Sequence, residues 1–380
     1  MVRWAMLAAL AVSACADGGS PASAACPGIT ARCGGICVDL STDRDHCGEC
    51  GHACTELGKG CFAGQCTSPA PMGRPRALHA VAVASDGRMY AIGGHDDTFA
   101  PTTRVEAYDP ATNRWSEVKP MTVPRTVLSA VAQGDRVLAI GGTQFGDLAV
   151  DRVDAYDPND NGWSSPPKLQ VARADAAAVT DLAGVTHVLW GWNVWVAKNS
   201  DEDDGGPAWS LASMESLEQG GDWMLEGTVD GPPPRWGARP VLGPNGKIHL
   251  LGGYRSHWVP LGSTTDDVSI YDGATWTHGA SMPLRRALGA AVAGPDGLIY
   301  YFGGIGDRGG IPPSSDVQVY DPVGDRWALA PAPLPLPQRD MAAATLSDGR
   351  IYVVGGLVYL PDGITSGVVV YDPKRGEWYW

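Results

Sequence analysis

Ile299-Tyr300-Tyr301-Phe302-Gly303-Gly304, then Val317-Gln318-Val319-Tyr320-Asp321, then Trp327, is one copy of a pattern that the chain writes five times. The other Gly pairs are Gly93-Gly94, Gly141-Gly142, Gly252-Gly253 and Gly355-Gly356. The other Tyr-Asp dipeptides are Tyr108-Asp109, Tyr156-Asp157, Tyr271-Asp272 and Tyr371-Asp372, and the other tryptophans are Trp115, Trp163, Trp276 and Trp378. Neighbouring Gly pairs stand about 50 residues apart, a period that signals a repeat architecture. Between Gly142 and Gly253 the interval doubles, and a worn sixth copy fills it. There His187-Val188-Leu189-Trp190-Gly191-Trp192 replaces the apolar run and its Gly pair.

A unit of this length without helical periodicity has room for four short strands and their turns. The first is small and apolar, as in Ala80-Val81-Ala82-Val83. The second is apolar without alternation, as in Ile351-Tyr352-Val353-Val354, which is how a strand buried on both faces reads. The third alternates and ends at Asp-Pro, a turn signal, and the fourth carries the Trp. Such a unit cannot hide both faces alone; stacking units radially does so, which gives a propeller. The Gly pairs allow close backbone approach where a Cβ would clash.

These elements, with a Met/Leu-x-x-x-Arg opening such as Met121 to Arg125, resemble the kelch repeat. The resemblance covers Met72 to Trp380 and implies an all-β, six-bladed kelch-type propeller with blades at about 72–120, 121–168, 169–223, 224–281, 282–333 and 334–380. Unit three lacks the second Gly and Tyr-Asp, so an irregular blade is expected there. Thr67 to Met72 resembles the exit from a fourth strand such as Ala330-Pro331-Ala332, which places the N-terminal side beside unit six at the ring closure.

The chain opens with Arg3, an apolar run from Trp4 to Ala11, then Val12-Ser13-Ala14-Cys15. The run is too short to span a bilayer and reads as an export signal. Its end resembles a bacterial lipobox, which implies a signal peptide over 1–15 and acylation of Cys15; Ala16 after it points to the outer membrane. Cleavage at Ala22-Ser23-Ala24, giving a secreted protein, is the rival. Residues 16–25 read as a flexible tether. Cys26, Cys33, Cys37, Cys47, Cys50, Cys54, Cys61 and Cys66 crowd the next segment, 26–66, and no cysteine follows. A segment that short needs staples, and in an exported chain four disulfides are expected, their pairing open. Zinc on Cys47 and Cys50 with His46 and His52 is the alternative. With no propeller cysteine to join, the module is expected to be dispensable for propeller folding.

A net charge of −14 argues against nucleic acid and against adhesion of the protein surface to anionic lipid. The long, dissimilar loops after each Gly pair share a face with the arginines that open the units, Arg76, Arg125, Arg173, Arg235 (or Arg239), Arg286 and Arg339. These arginines are expected to ring the channel mouth and attract carboxylates. The kelch domains that capture acidic peptides in eukaryotic ubiquitin-ligase adaptors resemble this arrangement. The competing reading pairs each Arg with a local carboxylate, such as Asp340 or Asp175. Around units three and four, Trp190, Trp192, Trp195, Trp236, Tyr254, His257 and Trp258 could stack on sugar rings or anchor a peptide. Of these, Trp192, Trp195, Tyr254, His257 and Trp258 join the six arginines as the candidate ligand-binding set, while Trp190 equally fits a wedge between blades.

No metal or cofactor is expected. Asp157-x-Asn159-x-Asn161-Gly162 opens like a calcium loop, but its twelfth position is Lys168. The copper chemistry of kelch-type oxidases needs a Cys-crosslinked Tyr, and no cysteine follows Cys66. No nucleophile motif is present. The leading expectation is a monomeric, envelope-anchored protein that binds a protein or glycan on the post-Gly-Gly face. Two alternatives stand beside it. One is a sugar-processing enzyme such as a mutarotase, drawing its acid and base from Glu215, Glu218, His187 and His257. The other is a structural envelope component.

Overall fold

A computed structural model of the chain describes residues 26, 30–144, 148–193, 211–228, 232–255, 264–306, 312–359 and 362–380. Six four-stranded antiparallel sheets follow one another along the chain, their strands in sequential order. The first is Ala80–Val83, Met89–Ile92, Val105–Asp109 and Arg114–Glu117. The last is Ala342–Thr345, Ile351–Val354, Val368–Asp372 and Glu377–Tyr379. Each innermost strand packs against the innermost strand of the next sheet, and that of the last sheet packs against that of the first. The sheets therefore form a closed, six-bladed ring.

The apolar second strands are buried along their whole length in five blades, and in blade two in all but the leading Arg136, as their lack of alternation requires. Most of the core lies between blades. Tyr90, Ile92 and Val105 of blade one join Val137, Ala139 and Tyr156 of blade two in one cluster, for example. Full burial of each large apolar side chain contributes roughly 1.5–3 kcal/mol, so the ring is held chiefly by its seams.

The Tyr and Trp of the repeat act together. Tyr108 lies against Trp115 with ring centroids 5.2 Å apart, and the Trp115 indole N–H donates to the Ala70 carbonyl at 2.9 Å. Trp163, Trp327 and Trp378 likewise donate to Lys119, Ala280 and Ala332, each fastening the segment that leads into its own blade. Worn blade three keeps this device: Leu217 stands for the Tyr, and Trp223 donates to Pro167 at 2.9 Å. Its fourth strand is Met224–Thr228, so the blade runs past the expected boundary at residue 223. A register shift between Ser213 and Glu215 marks its irregularity.

The eight cysteines of 26–66 form four disulfides: Cys26–Cys37, Cys33–Cys50, Cys47–Cys61 and Cys54–Cys66. No thiolate is left for zinc; His46 Nδ1 accepts from the Gly51 amide, and His52 Nδ1 lies 2.8 Å from the Cys47 carbonyl oxygen. The module does not hang free. Phe62 enters the core between blades six and one, and Arg44 pairs with Glu377 at 2.5 Å. These contacts fix the module to the seam between blades six and one.

Candidate functional site at the channel mouth

Four of the opening arginines do not reach the mouth. Arg76, Arg125, Arg173 and Arg235 are each at most 1% exposed. Each lies along the third strand of its own blade. Arg76 pairs with Glu106, Arg125 Nη2 donates to Asp154 at 2.7 Å, and Arg173 Nη2 donates to Glu215 at 2.7 Å. Arg235 finds Ser269 Oγ at 2.5 Å instead, with Asp267 at 3.6 Å. Burial lowers the pKa of Arg125 and of Arg235 to about 10, with Asp154 and Asp267 opposing the shift. Arg286 is mostly covered and donates to Asp316 at 2.5 Å. The sequence signal was in Val-Glu-Ala-Tyr-Asp and Val-Asp-Ala-Tyr-Asp: the acid three residues before the Asp is the partner.

Arg339 is a different residue from the other five. The second glycine of each pair, or Gly191 in blade three, donates to the carbonyl of the opening residue of the next blade: Arg125, Arg173, Arg235, Arg286, then Gln338, then Arg76. Gln338 therefore holds the sixth arginine's place. Arg339, one residue on, stays 36% exposed at the mouth.

The same bonds explain Trp190. A Cβ on Gly93, Gly141, Gly303 or Gly355, each the first of its pair, would lie 2.4–2.5 Å from the next blade's carbonyl. Trp190 holds this position at φ 54°. Its seam is wider: Gly191 N to Arg235 O is 3.4 Å, against 2.8–2.9 Å at the other five. The indole packs on Trp276, with centroids 5.8 Å apart, and under the Arg235 guanidinium. Trp190 is thus a wedge between blades and not part of the mouth.

Two residues past each opening position the chain takes a left-handed turn. Leu78, Val127, Asp175, Gly237, Leu288 and Asp340 all have positive φ. Five are not glycine, and a left-handed L-residue costs roughly 1–2 kcal/mol. Hydrogen bonds hold them: Val127 donates to Leu78, Asp175 to Val127, Asp340 to Leu288 and Leu78 to Asp340, at 2.8–3.0 Å. These residues make a neck. Below it the channel, about 230 Å³, is lined by alanines and by Ser129, His79 and Arg239. Above it opens a mouth of about 340 Å³.

The mouth is aromatic. Phe99, His95, Trp192 and Trp236 line it, with Leu357, Ile364 and Arg339. Trp236 stacks on Tyr254, centroids 4.3 Å apart, which leaves Tyr254 only 6% exposed. Phe99 is 59% exposed at the tip of the first loop. The floor is ionic. Arg239 Nη1 donates to Asp175 at 3.1 Å, and Arg339 pairs with Asp340. Burial pushes the Asp340 carboxyl up to about 6, only partly offset by Arg339 and Arg239, and its Oδ1 has no hydrogen-bond partner among the described residues. Tyr301, pushed up to about 12 by burial, accepts from the Gly289 amide beside this group. Phe99 was missed, and Trp236 and the neck acids Asp175 and Asp340 were not joined to it, because the mouth assembles from blades one, three, four and six.

Of the expected aromatics, Trp192 lines the mouth, whereas Tyr254 lies buried behind Trp236 and does not line it. Trp195, His257 and Trp258 fall outside the described residues, as does Cys15. The expected acid–base candidates do not meet. Glu215 is buried on Arg173, Glu218 lies beside the turn at the other end of its blade, and His187 pairs with Asp181 at 2.9 Å in the turn between strands one and two. Asp157 and Asn159 form an ordinary turn, the Asn159 amide donating to Asp157 at 2.9 Å.

Residues 76–122, 286–333 and 338–379 match the Kelch motif, and residues 12–69 match the Stigma-specific STIG1-like protein family. The chain is 35% identical over 146 residues to beta-scruin of Limulus polyphemus, covering 36% of this chain and 15% of that protein. It is 38% identical over 112 residues to kelch-like protein 35 of Mus musculus, covering 29% and 18%. These matches span well under a third of each relative. The solved structure of YjhT superposes with a TM-score of 0.66 at 16% identity, covering 81% of this chain and 98% of that one. The repeats, their spacing and the closed ring together make this chain a six-bladed kelch-repeat β-propeller behind a disulfide-rich module.

Proposed function

We propose that this protein is a binding protein, not an enzyme, and that its propeller receives a segment of a partner protein in the mouth above the neck. One observation carries the reading: Phe99, Trp192 and Trp236 converge on a floor of two Asp–Arg pairs. Aromatic walls supply area for an apolar anchor, and a paired floor gives directional polar contacts without a strong net field. Likeness to kelch-repeat proteins supports an interaction role. The ring of exposed arginines that would have favoured an acidic ligand is replaced by buried ion pairs. The proposal includes a lipid on Cys15 that tethers a monomer to the bacterial envelope, at the outer membrane.

A photocrosslinking residue at position 99 tests it, with one at Val323, exposed on a turn at the other end of its blade, as control. A discrete protein adduct from 99, absent from 323 and lost with Trp236→Ala, is expected. Retention on a glycan array with no protein adduct moves the ligand class to glycan; neither result removes the mouth as the site. A sugar-processing enzyme on this face remains a second reading because Asp340, at about 6, has an acid–base range suited to neutral pH. Sugar exchange measured by NMR, present in wild type and lost in Asp340→Asn, would establish it.

A further inference from the structure

We infer that the disulfide module is the clasp of the propeller ring, holding the first and last blades together where the other seams have a covalent linker. Blade six is built wholly from residues 342–379, so no strand is shared across the closing seam. The neck side of that seam is ordinary. Met72 donates to Ser366, Leu78 to Asp340 and Gly356 to Arg76, just as Met121 donates to Thr103, Val127 to Leu78 and Gly94 to Arg125 one seam on. What this seam lacks is the chain that elsewhere runs from one blade's fourth strand into the next.

The module supplies the missing connection. Trp380 donates its amide to Gly58 at 2.9 Å, and Ser68 Oγ donates to the Trp380 carbonyl at 2.6 Å. Phe62, 3% exposed, completes a core made by Met89 and Tyr108 of blade one and Tyr352, Val370 and Tyr379 of blade six. The fit is close. A Cβ on Gly60 would fall 2.8 Å from the Tyr379 ring, and one on Gly58 2.9 Å from the Trp380 ring.

Arg350 gives an internal control. It takes, at the start of strand two, the repeat position that Arg136 takes in blade two. Arg136 is 55% exposed there, whereas Arg350 is 4% exposed. Its guanidinium donates to the carbonyls of Cys61, at 2.8 Å, and Thr42, and lies 5.0 Å from the Phe62 ring centroid and 5.2 Å from that of Tyr379. One repeat position is thus a solvated arginine in blade two and a buried anchor under the module. Two disulfides, Cys47–Cys61 and Cys54–Cys66, brace the segment that presents Gly58, Gly60, Cys61 and Phe62. Because the Leu78–Asp340 link of the neck crosses this same seam, the clasp also holds the floor of the mouth.

Backbone hydrogen exchange on the oxidised full chain tests the inference, since a local clasp protects a local cooperative unit. Wild type is compared with Arg350→Met, Gly60→Val and the control Arg136→Met. In the first two variants, amides of residues 72–92 and 351–372 should exchange tenfold faster or more, with blades three and four unchanged. Arg136→Met should leave the closing seam at the wild-type rate. Acceleration shared evenly by all blades, or confined to residues 30–67 with the seam unmoved, overturns the clasp.

Discussion

Arg125 donates to Asp154 at 2.7 Å, and neither side chain is more than 2% exposed. An ion pair so placed is costly to break from one side, because it strands the other charge. Asp154→Ala, which strands the buried Arg125 guanidinium, should lower unfolding stability by about 3–5 kcal/mol, measured in urea; Arg125→Ala should cost less, because Arg152 still donates to both Asp154 oxygens, at 2.6 and 2.7 Å. Lys168→Ala, at a pair with Asp151 that is exposed on both sides, should cost under about 1 kcal/mol. Equal effects at the two sites would show that burial is not what separates them.

His79 sits where blade two has Leu128 and blade six Met341, and neither of its ring nitrogens has a hydrogen-bond partner among the described residues. Burial, with Arg76 adding to it, pushes its pKa down to about 3. The unfolded imidazole titrates near 6.5, so only the unfolded chain takes up the proton between these values. Stability is therefore complete above about pH 6.5 and falls as pH drops towards about 3. His79→Leu should flatten this acid limb and raise the thermal midpoint at pH 5. An unchanged limb would place its origin in other groups.

At the mouth, Phe99→Ala should leave the thermal midpoint within a degree or two, since the side chain already faces solvent. Trp236→Ala should weaken partner capture by about 1–2 kcal/mol, as a hot-spot aromatic does. Trp195→Ala and Trp258→Ala are expected to act on capture in the same way. Arg235→Ala should instead destabilise the fold, because its guanidinium is buried between Ser269 and Trp190. Capture unaffected by any mouth substitution would move the binding surface elsewhere.

Thiol titration of the mature protein in denaturant should find none of the eight module cysteines reactive, and metal analysis no zinc. Reduction should lower the thermal midpoint of the propeller as well, because the module has little core of its own beyond its cystines. A midpoint unmoved by reduction would support the expectation from sequence that the module is dispensable for propeller folding.

Cys15 should carry lipid. Labelling with an alkyne fatty acid is expected in wild type and absent in Cys15→Ala; equal labelling of both, or none in wild type, would favour cleavage at Ala22-Ser23-Ala24.

The repeat alone determined the architecture. Gly pairs, Tyr-Asp and Trp recur because every seam of a ring poses the same packing problem, so the solution is written once per blade and can be read as a period. Cysteine density determined the disulfide module in the same direct way, through the small core it must compensate for. The tertiary structure decided the rest. An arginine looks alike whether it faces a ligand or a strand; only the fold brings Arg125 to Asp154 and leaves Arg339 at the mouth, one residue out of register. The mouth itself joins Phe99, Trp192, Trp236 and Asp340 from four blades, a proximity that closure of the ring creates. Closure likewise buries Arg350 under the module while its counterpart Arg136 stays in water. Local pattern specifies each blade; which side chains meet at the axis and at the closing seam depends on bringing residues some three hundred positions apart into contact.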